Sequence, residues 1–358
     1  MHTRLHAALA GALAVVLLWW FLRHANLGAV LDGIRAARID MLIGALLALL
    51  VAYVLRTWRW QCLLHPVVGP VRFRPAFRTT IIGFAALGLL PARMGDVLRP
   101  YLLARQERLS ATATFATVVL ERVLDLVAVL MLLGAFAWLF SGAALIPESL
   151  LAPVRASAAA AAAVALGLLG AMWLLATHPE RFGTLVQSLA RVLPAKLAST
   201  LARTATTFGG GLAATREPGM FVAALLLSIP VWLAYALESW LVTRAFGIPL
   251  PFSGTFLVQA LLVVGISVPT PGGVGGFHEA YRVALTVFFG APNDQAVAAA
   301  IFLHAMSFVP VTIAGVVFMA QDGWSVRRLK GLASESAQAQ SEGSGGRDEV
   351  PVLRPSGR

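Results

Sequence analysis

Three charged residues, Glu121, Arg122 and Asp125, stand in the middle of an apolar run at 114–140. Exposed to lipid at mid-helix, each would cost roughly 2.5–3.5 kcal/mol, against about 0.5 kcal/mol recovered per flanking Leu or Val. They must therefore face protein or water. Glu121 and Asp125 are four residues apart and share a helix face, with Arg122 about 100° around the axis. Two roles fit: a structural ion-pair cluster, or a coupling network whose carboxylates take up a proton or pair with a nearby arginine.

A second constellation is Pro91-Ala92-Arg93-Met94-Gly95-Asp96-Val97-Leu98-Arg99. With a helix starting after Gly95, Arg93 and Arg99 flank its start and can hold an anionic phosphate through paired donors, helped by free backbone N–H groups. Ordinary positive-inside anchoring accounts for the same arginines. Glu238, in the apolar run 219–245, is a further buried carboxylate. His278, Glu279 and Arg282 follow a Pro/Gly break, and His304 lies in the last apolar run.

Several enzyme chemistries are excluded. His278-Glu279 begins like a zinc-protease helix, but position 282 is Arg rather than His. The glycines at 272–276 lack the Lys-Ser/Thr of a phosphate loop and follow no strand. Ser228 and Ser267 have no His/Asp partners by spacing. Cys62 is the only cysteine, so no intrachain disulfide or cysteine metal cluster is possible. No metal or cofactor is expected.

The elements that must position these residues are membrane helices. Charged residues make up only 13% of the chain and hydrophobic ones 58%, against about a quarter charged in soluble domains. Apolar runs at 5–22, 41–55, 114–140, 156–176, 219–245 and 296–320 are near bilayer length. The net charge of +11 does not indicate nucleic acid, because the basic residues lie between apolar runs. They read as topology signals and contacts with anionic lipid. Four cytoplasmic groups emerge: Arg56, Arg59, Arg72, Arg74 and Arg78; Arg93, Arg99, Arg105 and Arg108; Arg181, Arg191, Lys196, Arg203 and Arg216; and Arg327, Arg328 and Lys330.

The first two groups flank an apolar stretch of only 79–92, too short for a straight span, so it reads as a re-entrant hairpin. At 269–276, two prolines and four glycines break a second apolar stretch into another hairpin. The breaks belong to a repeat offset by about 180 residues: Phe77 falls on Phe256, Pro91 on Pro271, Gly95 on Gly275 and Tyr101 on Tyr281. One span crosses between the copies, so they should be inverted, a design recurring in alternating-access transporters. The expected fold is all-α: a polytopic integral membrane protein of about seven spans plus two re-entrant broken-helix hairpins. Its parts are a retained first helix and loop (1–40), a first repeat (41–140, hairpin 76–105) and a connecting region (141–218) with an amphipathic interfacial helix at 179–214. A second repeat (219–322, hairpin 255–290) and a disordered cytoplasmic tail (323–358) follow.

Leu90 to Arg99, Glu121-Arg122-Val123-Leu124-Asp125, and Pro269 to Glu279 together resemble the signatures of the transmembrane (flippase) domain of lysylphosphatidylglycerol synthase and its stand-alone relatives. The resemblance covers about 40–325. It implies a flippase-like protein; in the bifunctional relatives this domain moves an aminoacylated phospholipid to the outer leaflet. No aminoacyl-transferase domain is expected within this sequence, so that substrate does not carry over. The family often has an arginine in its last span, where His304 stands here.

The leading expectation is a non-enzymatic lipid-transport protein of the bacterial inner membrane, both termini cytoplasmic, acting on a phospholipid or other phosphate-bearing lipid. Arg93, Arg99, Pro271, Gly272 and Gly273 would hold the headgroup, beside a buried polar network of Asp96, Glu121, Arg122, Asp125, Glu238 and Glu279. The alternatives are a non-catalytic partner subunit of a lipid-modifying enzyme and a headgroup transferase using Asp96, Glu121 or Asp125 as base.

Overall fold

The computed structural model describes residues 2–23, 25–89, 94–139, 148–177, 217–268 and 270–322. The expected interfacial helix, the tail, Pro91 and Arg93 lie outside the described residues. Among those described, every regular element is helical: α1 (His2–Leu22), α2 (Leu27–Ala36), α3 (Ile39–Val68), α4 (Phe73–Leu89), α5 (Gly95–Glu107), α6 (Ala111–Leu139), α7 (Glu148–Thr177), α8 (Pro218–Ala245), α9 (Gly254–Ser267), α10 (Gly276–Val283) and α11 (Asn293–Gln321). A 3₁₀ turn at Pro271–Gly273 separates α9 from α10, and a π turn at Ala284–Phe288 extends α10.

Among the described residues, four segments are long and apolar enough to cross a bilayer: Ile39–Val68, Ser149–Gly167, Gly219–Ala245 and Asn293–Gln321, with a fifth if Gly11–Leu22 and Leu27–Ala36 count as one bent span. α6 matches them in length but carries Glu121, Arg122 and Asp125 near its centre. The stretch 23–40, expected as a loop, contains α2, whose first amides are capped by Asn26 Oδ1 accepting from Gly28 N and Ala29 N at 3.0 and 3.3 Å.

The centre of the molecule is the pair α3 and α8. Gly44 packs on Leu241, the rings of Tyr53 and Tyr235 meet edge to face at 6.5 Å, and Arg59 reaches Ser228. Rising numbers on α3 meet falling numbers on α8, so the two run antiparallel. α4 and α11 are likewise antiparallel: Gly88 lies against Phe308 and Thr312, Ala85 against Gly315, and Arg78 against Asp322. The neighbours correspond on the two sides. α3 touches α4 as α8 touches α9, α4 touches α11 as α9 touches α6, and α5 touches α6 as α10 touches α11.

The helices flanking each Pro/Gly break, α4 with α5 and α9 with α10, pack back against each other, each pair pinned by glycines in backbone contact. Gly83 meets Gly95, and Gly265 meets Gly276. A Cβ on Gly83 would lie 2.7 Å from Arg99 Cβ, and one on Gly265 would lie 2.5 Å from Gly276 O. Gly83→Ala should destabilise the protein by about 1–3 kcal/mol through overpacking. Gly134→Ala on α6, where a Cβ meets nothing within 4 Å, should instead be neutral or gain up to about 1 kcal/mol of helix propensity. Thermal unfolding of the two variants in detergent checks the opposite signs.

Candidate functional site

Among the described residues, seven charged side chains converge where α3, α5 and α6 meet. Arg56 and Arg59, assigned to a cytoplasmic group on the sequence, instead lie within α3 and are 3% and 0% exposed. The apolar run called at 41–55 continues as helix to Val68, and the i,i+3 spacing turns both guanidinium groups onto the face that meets α6. The signal was present in the sequence: two arginines on one helical face complement Glu121 and Asp125 on another.

Glu121 is the hub. Arg99 Nη1 donates to both of its oxygens at 3.0 Å, Arg56 Nη1 to Oε1 at 3.2 Å, and Arg59 Nη2 lies 3.3 Å away. Arg122 Nη2 lies 3.4 Å from Glu121 Oε1 and 3.3 Å from Asp96 Oδ1. Asp125 accepts from Trp232 Nε1 at 3.1 Å, and pairs with Arg59 at 2.7 Å, Arg122 at 3.2 Å and Arg56 at 3.5 Å. Arg99 also stacks on Trp60, its guanidinium carbon 3.7 Å from the ring centre. A cation over an indole face is favoured by the ring quadrupole.

Among the described residues four guanidinium groups meet three carboxylates, Asp96, Glu121 and Asp125, so one positive charge is in excess. The Nε atoms of Arg56, Arg59, Arg99 and Arg122, and Nη2 of Arg99, have no acceptor among those residues. Such a surplus of buried donors in a low-dielectric setting favours an anion.

Two of the arginines, Arg56 and Arg122, open onto a cavity of about 320 Å³ between the hairpins. Phe84 and Leu87 of α4 form one wall, and Leu262, Ile266, Gly272 and Gly273 of the second hairpin form another. Tyr53, Trp232 and Tyr235 lie between, and Glu238, Ser239, Gln259 and Ser307 line a further part. Apolar walls with few placed polar groups are the usual make-up of a ligand site.

Of the headgroup residues expected from the sequence, Gly272 and Gly273 line the cavity, and Pro271 opens the turn that carries them. Gly272 and Gly273 have φ of 62° and 70°, where a side chain is strained. A Cβ on Gly272 would lie 3.5 Å from Gly88 O of the opposite hairpin, an ordinary contact. Conformation more than crowding thus demands glycine there. His304 Nε2 lies 2.9 Å from Gly272 O and ties the turn to α11, while its ring stacks on Phe308 and packs tilted against His278. Arg99 is 2% exposed, held by Glu121, and does not line the cavity.

Of the expected polar network, Asp96, Glu121, Arg122 and Asp125 come together. Glu238 does not join them; its Oε1 accepts from Ser307 Oγ at 2.7 Å. Glu279 pairs with Arg282 at 2.5 Å, and Arg282 also donates to Asn293 Oδ1 at 3.0 Å. Arg56 and Arg59 are the network members that sequence reasoning placed elsewhere.

With this geometry established, the chain can be set beside known proteins it is similar to. A family model described as lysylphosphatidylglycerol synthase TM region matches residues 7–315. A "UPF0104 membrane protein" from Methanothermobacter thermautotrophicus is 24% identical over 317 residues, covering 84% of this chain and 90% of the relative.

Proposed function

Because the chain belongs to the family described as the lysylphosphatidylglycerol synthase TM region, we propose that it moves a phosphate-bearing lipid, glycerol- or isoprenoid-based, across a bacterial inner membrane. The termini would both be cytoplasmic. One observation carries the reading: an arginine-rich cluster with excess positive charge opens through Arg56 and Arg122 onto an apolar cavity. Phosphate would sit against these two guanidinium groups, with the acyl or isoprenoid chains along the apolar walls. Arg59 and Arg99, held by Asp125 and Glu121, would fix the carboxylates that orient Arg56 and Arg122.

The antiparallel α3–α8 pair, the corresponding neighbours of the two hairpins and their matching glycine contacts support two inverted copies related through the Tyr53–Tyr235 contact. In that arrangement, tilting one copy against the other exposes the cavity to each leaflet in turn. No covalent step is needed, which distinguishes the proposal from headgroup transfer.

The test is translocation of labelled anionic phospholipid in proteoliposomes, at matched folding and incorporation. Arg122 is the variant of choice because its side chain is 32% exposed and can change with the least damage to packing. Arg122→Gln should slow translocation by about tenfold or more, the scale of one lost charge-assisted contact, and Arg122→Lys should recover part of the rate. Arg93→Ala joins the panel on its sequence position. Equal rates in wild type and Arg122→Gln, or no movement of any phosphate-bearing lipid, would reject the site and favour a partner-subunit role.

A further inference from the structure

Two of the polar places that line the cavity are chemically opposite. Arg56 and Arg122 offer donors. Glu238 and Gln259 offer acceptors. Glu238 is 3% exposed, and no Arg, Lys or His among the described residues pairs with it. Its Oε1 accepts a hydrogen bond from Ser307 Oγ at 2.7 Å, while Oε2 receives none from the described residues. Gln259, 5% exposed, donates its amide to Ser239 Oγ at 3.2 Å. That direction is forced, because the Ser239 hydroxyl already donates to Ala236 O at 3.0 Å. The amide oxygen of Gln259 is thereby left to accept. Tyr235 lies one helical turn from Glu238 and 5.5 Å from the Arg56 guanidinium, so the acceptor end and the arginine end flank one ring.

The geometry points to a headgroup subsite at Glu238 and Gln259 that binds the hydrogen-bond donors a phospholipid carries beyond its phosphate. It rests on the proposed lipid site and deepens it. Phosphate binds at the arginines while an ammonium or a hydroxyl of the same headgroup fills the acceptors. A buried carboxylate with an open lone pair discriminates sharply, since a ligand without a donor leaves it desolvated and unmet. Glu238 is thus a specificity-determining residue, and Ser307 positions it by holding Oε1.

Binding, not transport, is the readout. Short-chain phosphatidylethanolamine, phosphatidylglycerol, phosphatidylcholine and phosphatidylmethanol are titrated calorimetrically into the purified protein in nonionic detergent. Wild type should bind the ethanolamine or the glycerol lipid about tenfold or more tighter than the methyl ester; which of the two wins identifies ammonium or hydroxyl as the donor. Glu238→Gln should reduce that ratio to within about twofold. Ser307→Ala should lower it less, and Glu238→Asp serves if the Gln variant does not fold. Choline, a cation without donors, should rank with the methyl ester. The proposal is overturned if wild type shows no preference, if the Glu238 variants keep it, or if the choline lipid binds as tightly as the preferred donor-bearing lipid. Arg122→Gln should weaken all four lipids together. If it changes none while Glu238→Gln shifts the ratio, the phosphate site fails and the acceptor subsite stands.

Discussion

Glu121→Gln is expected to cause the largest loss of stability of any single substitution in the buried cluster, seen as a fall in melting temperature in detergent. The side chain keeps its shape and loses its charge, and this carboxylate touches Arg56, Arg59, Arg99 and Arg122 at 3.0–3.4 Å. Glu121 is fully buried, so no water replaces the lost charge. Breaking one buried pair costs about 3–5 kcal/mol because the remaining charge is uncompensated. Here four cations share the loss, against a total folding stability of about 5–15 kcal/mol. Adding Arg99→Met to Glu121→Gln should restore part of the stability by removing one stranded cation, a coupling read from a double-mutant cycle. A Glu121→Gln protein melting within about 2 °C of wild type would correspond to no more than about 1–2 kcal/mol, less than one broken buried pair costs, and would rule out the charged hub.

Locking the hairpins together is expected to stop lipid movement almost completely. Gly88 closes α4 and Gly272 sits in the opposite turn, with a Cβ on Gly272 falling 3.9 Å from Gly88 Cα. That separation is close to what a disulfide spans. The double variant Gly88→Cys and Gly272→Cys, in a Cys62→Ser background, should form a disulfide under mild oxidation and lose about tenfold or more of its translocation rate. Reductant should restore the rate. Each single cysteine should remain active, although Gly272→Cys carries some strain from its positive φ. Full activity in the cross-linked protein would mean that the tips need not part, and the two-hairpin gate would fall.

The class of protein was legible from composition because lipid is a solvent that leaves a mark on the whole chain: spans must be apolar and of fixed minimum length. The helices at 2–22, 111–139, 148–177, 218–245 and 293–321 fall where apolar runs were read. The hairpin breaks were equally visible, because Pro and Gly act locally on φ and on the N–H donor. Glu121 and Asp125 declared themselves as partners by the cost of burying charge.

What sequence could not decide was which cations they meet. Arg56 and Arg59 stand at the end of an apolar run, where a positive-inside anchor and a buried partner look the same along the chain. Only the packing of α3 against α6 brings them to Glu121 and Asp125. Arg99 and Glu238 were separated from their expected roles by the same means. Arg99 is held away from the cavity by Glu121 and Trp60, and Glu238 is placed across the cavity on α8, bonded to Ser307 of α11. The sequence by itself determined the solvent, the long apolar helices, the breaks and the presence of buried charge, since each follows from local composition. The expected count of about seven spans is not among what it settled: the described residues hold four such spans, or five with the bent pair. The pairing of those charges, and the opposition of a donor end to an acceptor end in one cavity, are contacts between helices far apart in the chain, and only the tertiary structure decided them.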